Sequence, residues 1–281
     1  MASEPKYPIR EVSRLTGINP VTLRAWQRRY GLLKPARTDK GHRLYSEEDI
    51  SLIRQILHWL EQGVSIGQVK GLLANPAPVA EGSNWEQARD RLLAAAQELN
   101  LGRLEAELLE LTSLYPAELL LRRVIDPWLQ ALAGQARPDA GLIEQSGRAL
   151  LLRLCHQLLT IKTGPRIALA RAGQVGELYG ALVQFELQGL ECRSLDLGVL
   201  DAQALPLAME RLKSQALVVV LGAGLTQSWF REAQAQLPEL CFFVGELGEI
   251  YRQRGWLERP FAVSVSEIAR KYDASFGLVQ N

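Results

Sequence analysis

The most constraining feature of the chain is a short segment near its start, residues 19–45. Asn19 is a favoured N-cap residue, and Pro20 suits the first helical position, where a missing N–H costs nothing. Gly31 permits the left-handed backbone conformation that ends a helix. Beyond it, a basic stretch runs to Tyr45. The segment therefore predicts a helix, a tight turn and a hairpin, in that order.

This segment is strongly basic. Between positions 24 and 43 it holds seven Lys or Arg residues and one acid, Asp39. Neutralisation of nucleic-acid phosphates explains such an imbalance. The alternative is an amphipathic helix with a solvated basic face, which is what most charge runs are. The order of helix, turn and basic hairpin favours the first interpretation.

The spacing of apolar residues predicts which face of the helix that begins at Pro20 is buried. Val21, Leu23 and Trp26 recur at helical intervals, so they are expected to face the interior together with Gln27. The same phase predicts four outward-facing side chains: Thr22, Arg24, Arg28 and Arg29.

Residues of this segment resemble the winged helix-turn-helix of the MerR family of transcription regulators. The matching residues are Thr22-Leu23-Arg24, Tyr30-Gly31-Leu32, Pro35, Arg37-Thr38, Gly41, Arg43 and Tyr45. The run INPVTLRAWQRRYGLLKP, followed by RTDKGHRLY, is more similar still to the MlrA-type regulators. This resemblance covers roughly residues 7–75.

The resemblance implies a sequence-specific regulator that binds double-stranded promoter DNA as a homodimer. It implies activation by twisting and bending the promoter, with RNA polymerase as an indirect partner, and control of matrix or biofilm genes. For Trp26, packing in the core is an open alternative to a DNA contact. The resemblance assigns DNA binding to the following positions: Thr22, Arg24, Ala25, Trp26, Arg28, Arg37, Lys40, His42, Arg43 and Tyr45.

Charge and composition divide the rest of the chain. Residues 1–75 hold 12 Lys or Arg against 7 Asp or Glu, whereas the remainder holds 20 against 24. A basic DNA-binding head is therefore expected to precede a mildly acidic body. A Pro-containing polar linker is predicted at 76–84, a four-helix bundle at 85–163, and a flavodoxin-like α/β domain at 164–281. The predicted fold class is multidomain, α and α/β.

Periodicity supports this division. Pro127 should kink or restart the third bundle helix. From residue 166, short apolar runs alternate with helical stretches, which indicates a doubly wound parallel sheet. The predicted bundle helices are 85–100, 102–113, 116–134 and 140–162. The predicted strands are 166–170, 191–197, 216–221, 241–245 and 261–265.

The combination of a MerR-like head, a bundle and such a sheet resembles regulators with a cobalamin-binding sensor. In that family a DxHxxG motif supplies a histidine that ligates cobalt from below. The matching position here is Gln174, whose amide lacks the basic lone pair of an imidazole. The family's Glu-His pair above the corrinoid is matched by Glu144-Gln145. No cofactor is the first expectation, and cobalamin without its lower histidine ligand is the alternative.

A second candidate feature is Gly222-Ala223-Gly224, which follows the third predicted strand. Doubly wound sheets hold ligands at the carboxyl ends of their strands, although a tight strand-to-helix turn explains this sequence as well. A regulator that senses cobalamin or another small molecule is the alternative function. The candidate ligand-binding residues are Glu144, Gln145, Gln174, Gly222 and Gly224.

Other functions find less support. The chain shows no Ser/His/Asp order, no paired carboxylates and no metal-ligand spacing, so neither an enzyme nor a metal site is expected. Three separated cysteines predict buried free thiols in a reducing compartment. No signal peptide or membrane span is recognised, which predicts a cytoplasmic, nucleoid-associated protein without a membrane partner. Trp229, Phe230 and Trp256 are candidates for the dimer surface, with core burial favoured for each.

Overall fold

The structure is a computed structural model that describes residues 7–75 and 83–271. The chain divides into two compact units, residues 1–151 and 152–281. Most of the predicted linker, residues 76–82, lies outside the described residues. Ser83 and Asn84, the last two residues of the predicted linker, belong to a helix. The finer division into four parts stays a prediction.

The first half of the first unit combines a small antiparallel sheet with short helices. The sheet has the strand order β1-β3-β2. The elements are β1 (Tyr7–Pro8), α1 (Ile9–Thr16), α2 (Pro20–Ala25), a π-helical turn (Trp26–Tyr30), β2 (Ala36–Arg37), β3 (Arg43–Tyr45), α3 (Glu47–Glu61) and α4 (Ile66–Ala74).

Local side-chain chemistry sets where these helices begin and end. The Asn19 side chain accepts a hydrogen bond from the Thr22 amide at 2.8 Å, as expected of an N-cap. Ser46 and Asp49 form a capping box, in which each side chain accepts from the other residue's amide. Gly31 has φ of +60°, the left-handed conformation predicted for the stop. The predicted start and end of the basic helix are confirmed.

Four helical segments complete the first unit, as predicted. They are α5 (Ser83–Gln97), α6 (Leu101–Leu114), an interrupted segment and α9 (Ala140–Leu158), which continues past residue 151. The interrupted segment consists of α7 (Ala117–Leu120), a π-helical turn (Leu121–Ile125) and α8 (Asp126–Ala133).

Pro127 accounts for the interruption. A proline cannot donate to the carbonyl four residues earlier, which here belongs to Arg123. The backbone passes through a π-helical turn just before the proline, and the Arg89 guanidinium donates to the Arg123 carbonyl at 3.1 Å. A side chain from α5 thus supplies the hydrogen bond that the proline removes.

Two tryptophans join the N-terminal elements to these helices within the first unit. The indole N–H of Trp26, which is completely buried, donates to the Leu114 carbonyl at 2.8 Å. The indole N–H of Trp85 in α5 donates to the Leu60 carbonyl at 3.0 Å. Both acceptors lie in the last turn of a helix, where carbonyls have no partner four residues ahead. The Leu60 carbonyl also accepts from the Gly63 amide at 2.9 Å, so the Trp85 indole is its second donor.

The second unit is a five-stranded parallel sheet with helices on both faces. The strand order is β5-β4-β6-β7-β8, as in flavodoxin-like folds. The strands are β4 (Arg166–Ala172), β5 (Arg193–Val199), β6 (Ala216–Leu221), β7 (Cys241–Val244) and β8 (Phe261–Ala262). The helices are α10 (Glu177–Gly189), α11 (Ala204–Leu212), α12 (Gln227–Gln236), α13 (Gly248–Gln253) and α14 (Val265–Lys271).

The sheet is covered on both faces, which explains its sequence. Every residue of the central strand β6 is buried, as expected of a parallel strand between two helical layers. One core cluster contains Phe230 and Phe243, and the other contains Val218 and Ile268. The predicted doubly wound α/β fold is confirmed.

The aromatic residues considered for a dimer surface belong to the first of these clusters. Phe230 is fully buried, and its ring lies 4.8 Å from that of Tyr251. Trp229 and Trp256 are partly buried and pack against the same cluster. The structure therefore supports the core alternative for all three residues.

The three cysteines are far apart in the sequence. Cys155, Cys192 and Cys241 are free and buried. Burial raises the pKa of each thiol to about 12. In residues 7–75 and 83–271 no three His, Cys, Asp or Glu side chains are grouped so as to hold a metal ion. No helix in those ranges is both long and apolar enough to cross a membrane.

Replacing Trp26 tests the link between the basic helix and α6. Trp26→Phe should lower the free energy of unfolding by about 1–3 kcal/mol, because the buried Leu114 carbonyl loses its donor. Trp26→Ala should lower it by about 3–5 kcal/mol, since a cavity is added. Urea denaturation of the full chain measures both. Trp59→Phe, at a half-buried position in α3, is the control. Equal losses for Trp26→Phe and Trp59→Phe would contradict a special role of the indole.

Candidate nucleic-acid interface

The outward face of α2 and its π-helical turn is mainly cationic. Arg28 and Arg29 are exposed and Arg24 is half-buried, so these arginines reach the surface as predicted. Val21 is also on this surface, with 57% of its side-chain area exposed. From Val21, the residues three and seven positions on are Arg24 and Arg28, a spacing that places side chains on one side of a helix.

Leu23 and Trp26 are buried as predicted, but two other positions of α2 lie on the opposite side from the prediction. Thr22 is fully buried, while Val21 is exposed. Thr22, Ala25 and Trp26 follow an i, i+3, i+4 pattern and form the inner face of the helix. Among the described residues, the Thr22 hydroxyl oxygen has no hydrogen-bond partner. The inner stripe thus contains a polar residue that simple hydrophobic periodicity assigns to the outside.

Three predicted DNA contacts on this helix therefore need correction. Thr22 and Ala25 are buried, so their side chains do not face a groove. Trp26 is buried too, and its only polar group donates to the Leu114 carbonyl. For Trp26, the alternative of core packing is the one that the structure shows.

The wing is a short antiparallel hairpin formed by β2 and β3. At its tip, the Thr38 amide donates to the His42 carbonyl at 2.9 Å, and the Gly41 amide donates to the Thr38 carbonyl at 2.8 Å. Gly41 has φ of +79°, a conformation that favours glycine. Lys40 and His42 are exposed beside it. The tip thus presents one aspartate, one lysine and one histidine to solvent.

Two arginines face each other across the wing. Arg37 and Arg43 are direct partners in the β2–β3 register, so their side chains lie on the same side of the hairpin. Like charges in this arrangement are unfavourable unless another group compensates them. The Nε atom of Arg43 donates to Oε1 of Gln27 at 2.7 Å. This hydrogen bond joins the wing to the basic helix.

Tyr45 lies inside the base of the wing. Its side chain is fully buried, which corrects the prediction that it contacts DNA. Burial raises the pKa of the Tyr45 phenol, whereas the positive charges of Arg43 and Arg24 lower it. The contact that joins the wing to the basic helix is the hydrogen bond from Arg43 to Gln27.

In the second unit, the structure brings three of the predicted ligand-binding residues together. The backbone N–H of Gln174 donates to the Ala223 carbonyl at 2.8 Å, and the backbone N–H of Ala223 donates to the Gln174 carbonyl at 3.3 Å. A Cβ atom on Gly222 would lie 2.6 Å from the Gln174 carbonyl oxygen. Gly224 has φ of +79° and approaches the Gln174 side chain. Close contact between two loop backbones explains why glycine occupies these positions.

These residues do not fit a cobalt-ligating cofactor. Gln174 offers an amide in place of a basic ring nitrogen, and its backbone already pairs with the loop after β6. Glu144 and Gln145 belong to the first unit, on α9. The Glu144 carboxylate accepts from Nε of Arg148 at 2.8 Å, and Gln145 is exposed. The tight-turn explanation of the glycines is therefore the one that the geometry favours.

The helix-turn-helix and wing match a known family. Residues 7–75 match the model described as MerR HTH family regulatory protein. The HTH-type transcriptional regulator MlrA of Escherichia coli (strain K12) is 46% identical over 129 residues, which are 46% of this chain and 53% of that protein. The HTH-type transcriptional repressor CarH of Myxococcus xanthus is 29% identical over 174 residues, 55% of this chain and 58% of that protein. The chain spans about half the length of the curated relatives it matches.

Among solved structures, a novel cobalamin-binding protein from Desulfitobacterium hafniense DCB-2 aligns with a TM-score of 0.32 and 14% identity. That alignment covers 66% of this chain and 97% of the other.

The strands, caps and basic surface described above agree with the family match at the start of the chain. Residues 7–75 are therefore a MerR-type helix-turn-helix domain.

Proposed function

We propose that this chain is a transcription regulator that binds double-stranded DNA in a sequence-specific manner. The observation that carries this proposal is the convergence of two cationic elements in one domain. The helix contributes Arg24 and Arg28, and the wing contributes Arg37 and Arg43. Arg37 and Arg43 lie directly opposite each other, an arrangement that an anion between them would stabilise. The regularly spaced phosphates of a duplex meet this requirement.

In the proposed complex, the outward face of α2 enters the major groove and the wing contacts the adjacent backbone and minor-groove edge. Arg28 and the exposed wing cations Arg37 and Lys40 neutralise phosphates. Arg24, on the outward face of α2, contacts a base edge or a phosphate. His42 is exposed at the tip and can donate to the DNA backbone. The hydrogen bond between Gln27 and Arg43 keeps the helix and the wing in a fixed relation.

One such module reads a half-site, so we further propose that the chain acts as a homodimer on a pseudo-palindromic promoter. Regulation would act through deformation of the promoter, which RNA polymerase then engages. The two relatives are named as a transcriptional regulator and a transcriptional repressor, which agrees with this proposal. Activation, and matrix genes as targets, remain expectations of the resemblance. Such a regulator would act in the cytoplasm, at the nucleoid.

The salt dependence of DNA binding tests the phosphate contacts. Arg28→Ala and Arg37→Ala should each weaken binding on all duplexes and lower the slope of log K against log[salt] by about 1, because one phosphate contact is lost. Fluorescence anisotropy with duplexes selected from a random library measures both quantities. Arg231→Ala, at an exposed arginine of α12, is the matched control. Unchanged slopes in both test variants would show that the cationic surface is misassigned.

Substitution of Gln27 tests the connection between helix and wing. Gln27→Glu should pair with Arg43 and compete with DNA phosphate, so that affinity falls and the slope decreases by about 1. Gln27→Ala should release Arg43, with a smaller loss of affinity and a slope close to that of the unmodified chain. The same anisotropy titrations distinguish the two. If Gln27→Glu binds DNA like the unmodified chain, Arg43 does not contact DNA.

A further inference from the structure

An exposed apolar side chain lies at the start of the cationic face. Val21 has 57% of its area exposed, although it belongs to the first turn of α2. Single exposed apolar residues are common on protein surfaces and need no explanation by themselves. Val21 differs in its position, because Arg24 and Arg28 follow it on the same side of the helix. In the proposed complex this side faces the bases.

The backbone around Val21 is firmly held. The Asn19 side chain binds the Thr22 amide at 2.8 Å, which fixes the first turn. Thr22 is buried on the opposite side, so α2 cannot rotate without exposing its inner stripe. Valine in a helix also has one strongly preferred side-chain rotamer. The two methyl groups of Val21 are therefore presented outward in a defined direction.

The major groove offers one apolar group to such a side chain. Thymine carries a C5 methyl group there, whereas the other bases present hydrogen-bond donors and acceptors. A valine isopropyl group cannot pair with donors or acceptors, but it can bury a methyl group. Contact with cytosine or a purine edge at this point would desolvate polar atoms without replacing their hydrogen bonds.

We propose that Val21 is a specificity-determining residue that reads the methyl group of a thymine in each half-site. This inference rests on the proposed DNA-binding function and goes beyond its phosphate contacts. The arginines supply most of the affinity, and Val21 selects a base at one position. The thymine should occupy equivalent places in the two halves of the operator.

Replacement of thymine by uracil tests this inference, because it removes the C5 methyl group and leaves the hydrogen-bonding edge intact. Duplexes are selected from a random library by the full chain, and each selected thymine is then replaced in turn by deoxyuridine. Binding of the unmodified chain should weaken about fourfold per half-site at one position, as expected for loss of one buried methyl contact. Val21→Ala should bind the thymine and uracil duplexes almost equally.

Val263→Ala provides the matched control. Val263 is 59% exposed in the second unit, so the substitution removes the same atoms from a similarly exposed site. This variant should keep the full sensitivity to uracil. Urea denaturation of Val21→Ala should match that of the unmodified chain, because an exposed side chain contributes little to folding.

The outcomes separate the two proposals. Duplex binding without a uracil effect at any position would overturn the role of Val21 and leave the proposed function standing. An equal uracil effect in Val21→Ala and the unmodified chain would overturn it as well. Failure of the unmodified chain to enrich any duplex would overturn the proposed function and, with it, this inference.

Discussion

The burial of Trp26 is the constraint on which the DNA-facing geometry depends. Its indole is completely enclosed and donates to the Leu114 carbonyl at the end of α6. Because Thr22 and Ala25 share its side of the helix, that contact fixes the rotation of α2 about its axis. Val21 and the arginines are left on the other side. The surface proposed to read DNA is therefore defined by what packs behind it.

This arrangement means that α2 is supported from outside the region that matches the family model. The family match ends at residue 75, whereas the acceptor for Trp26 is residue 114. Trp85 makes the reciprocal connection from α5 to the end of α3. The basic head and the following helices accordingly form one compact unit. In the second unit, the backbone at Gln174, after β4, contacts the backbone at Gly222, after β6. This contact supports a structural role for these loop residues.

Local signals predicted much of the fold. The Asn19 cap and the Gly31 stop depend on neighbouring residues, and both were predicted from the sequence. The burial of β6 follows in the same way from its unbroken apolar run. The buried face of α2 could not be predicted in this way, because two helical phases fit its six residues. Both phases bury Trp26 and Leu23, and they differ in whether Val21 or Thr22 faces the interior.

The remaining differences have the same origin. Tyr45 matches a family position, yet it is fully buried at the base of the wing, as a result of packing between elements. The hydrogen bond of Gln27 to Arg43 also spans two elements, and periodicity alone had placed Gln27 on the inner face. Val21 was predicted to be buried for its apolar character. Contacts between elements, rather than local propensity, decided all three positions.

Amide hydrogen exchange of the full chain, with and without a selected duplex, tests the central claim most directly. Exchange reports which backbone segments become protected when DNA binds. The account predicts slower exchange in residues 20–30 and 36–45, with the strands of the second unit unchanged. Protection confined to residues 152–271 while the duplex is bound would contradict it, because DNA would then contact a surface other than the helix and wing.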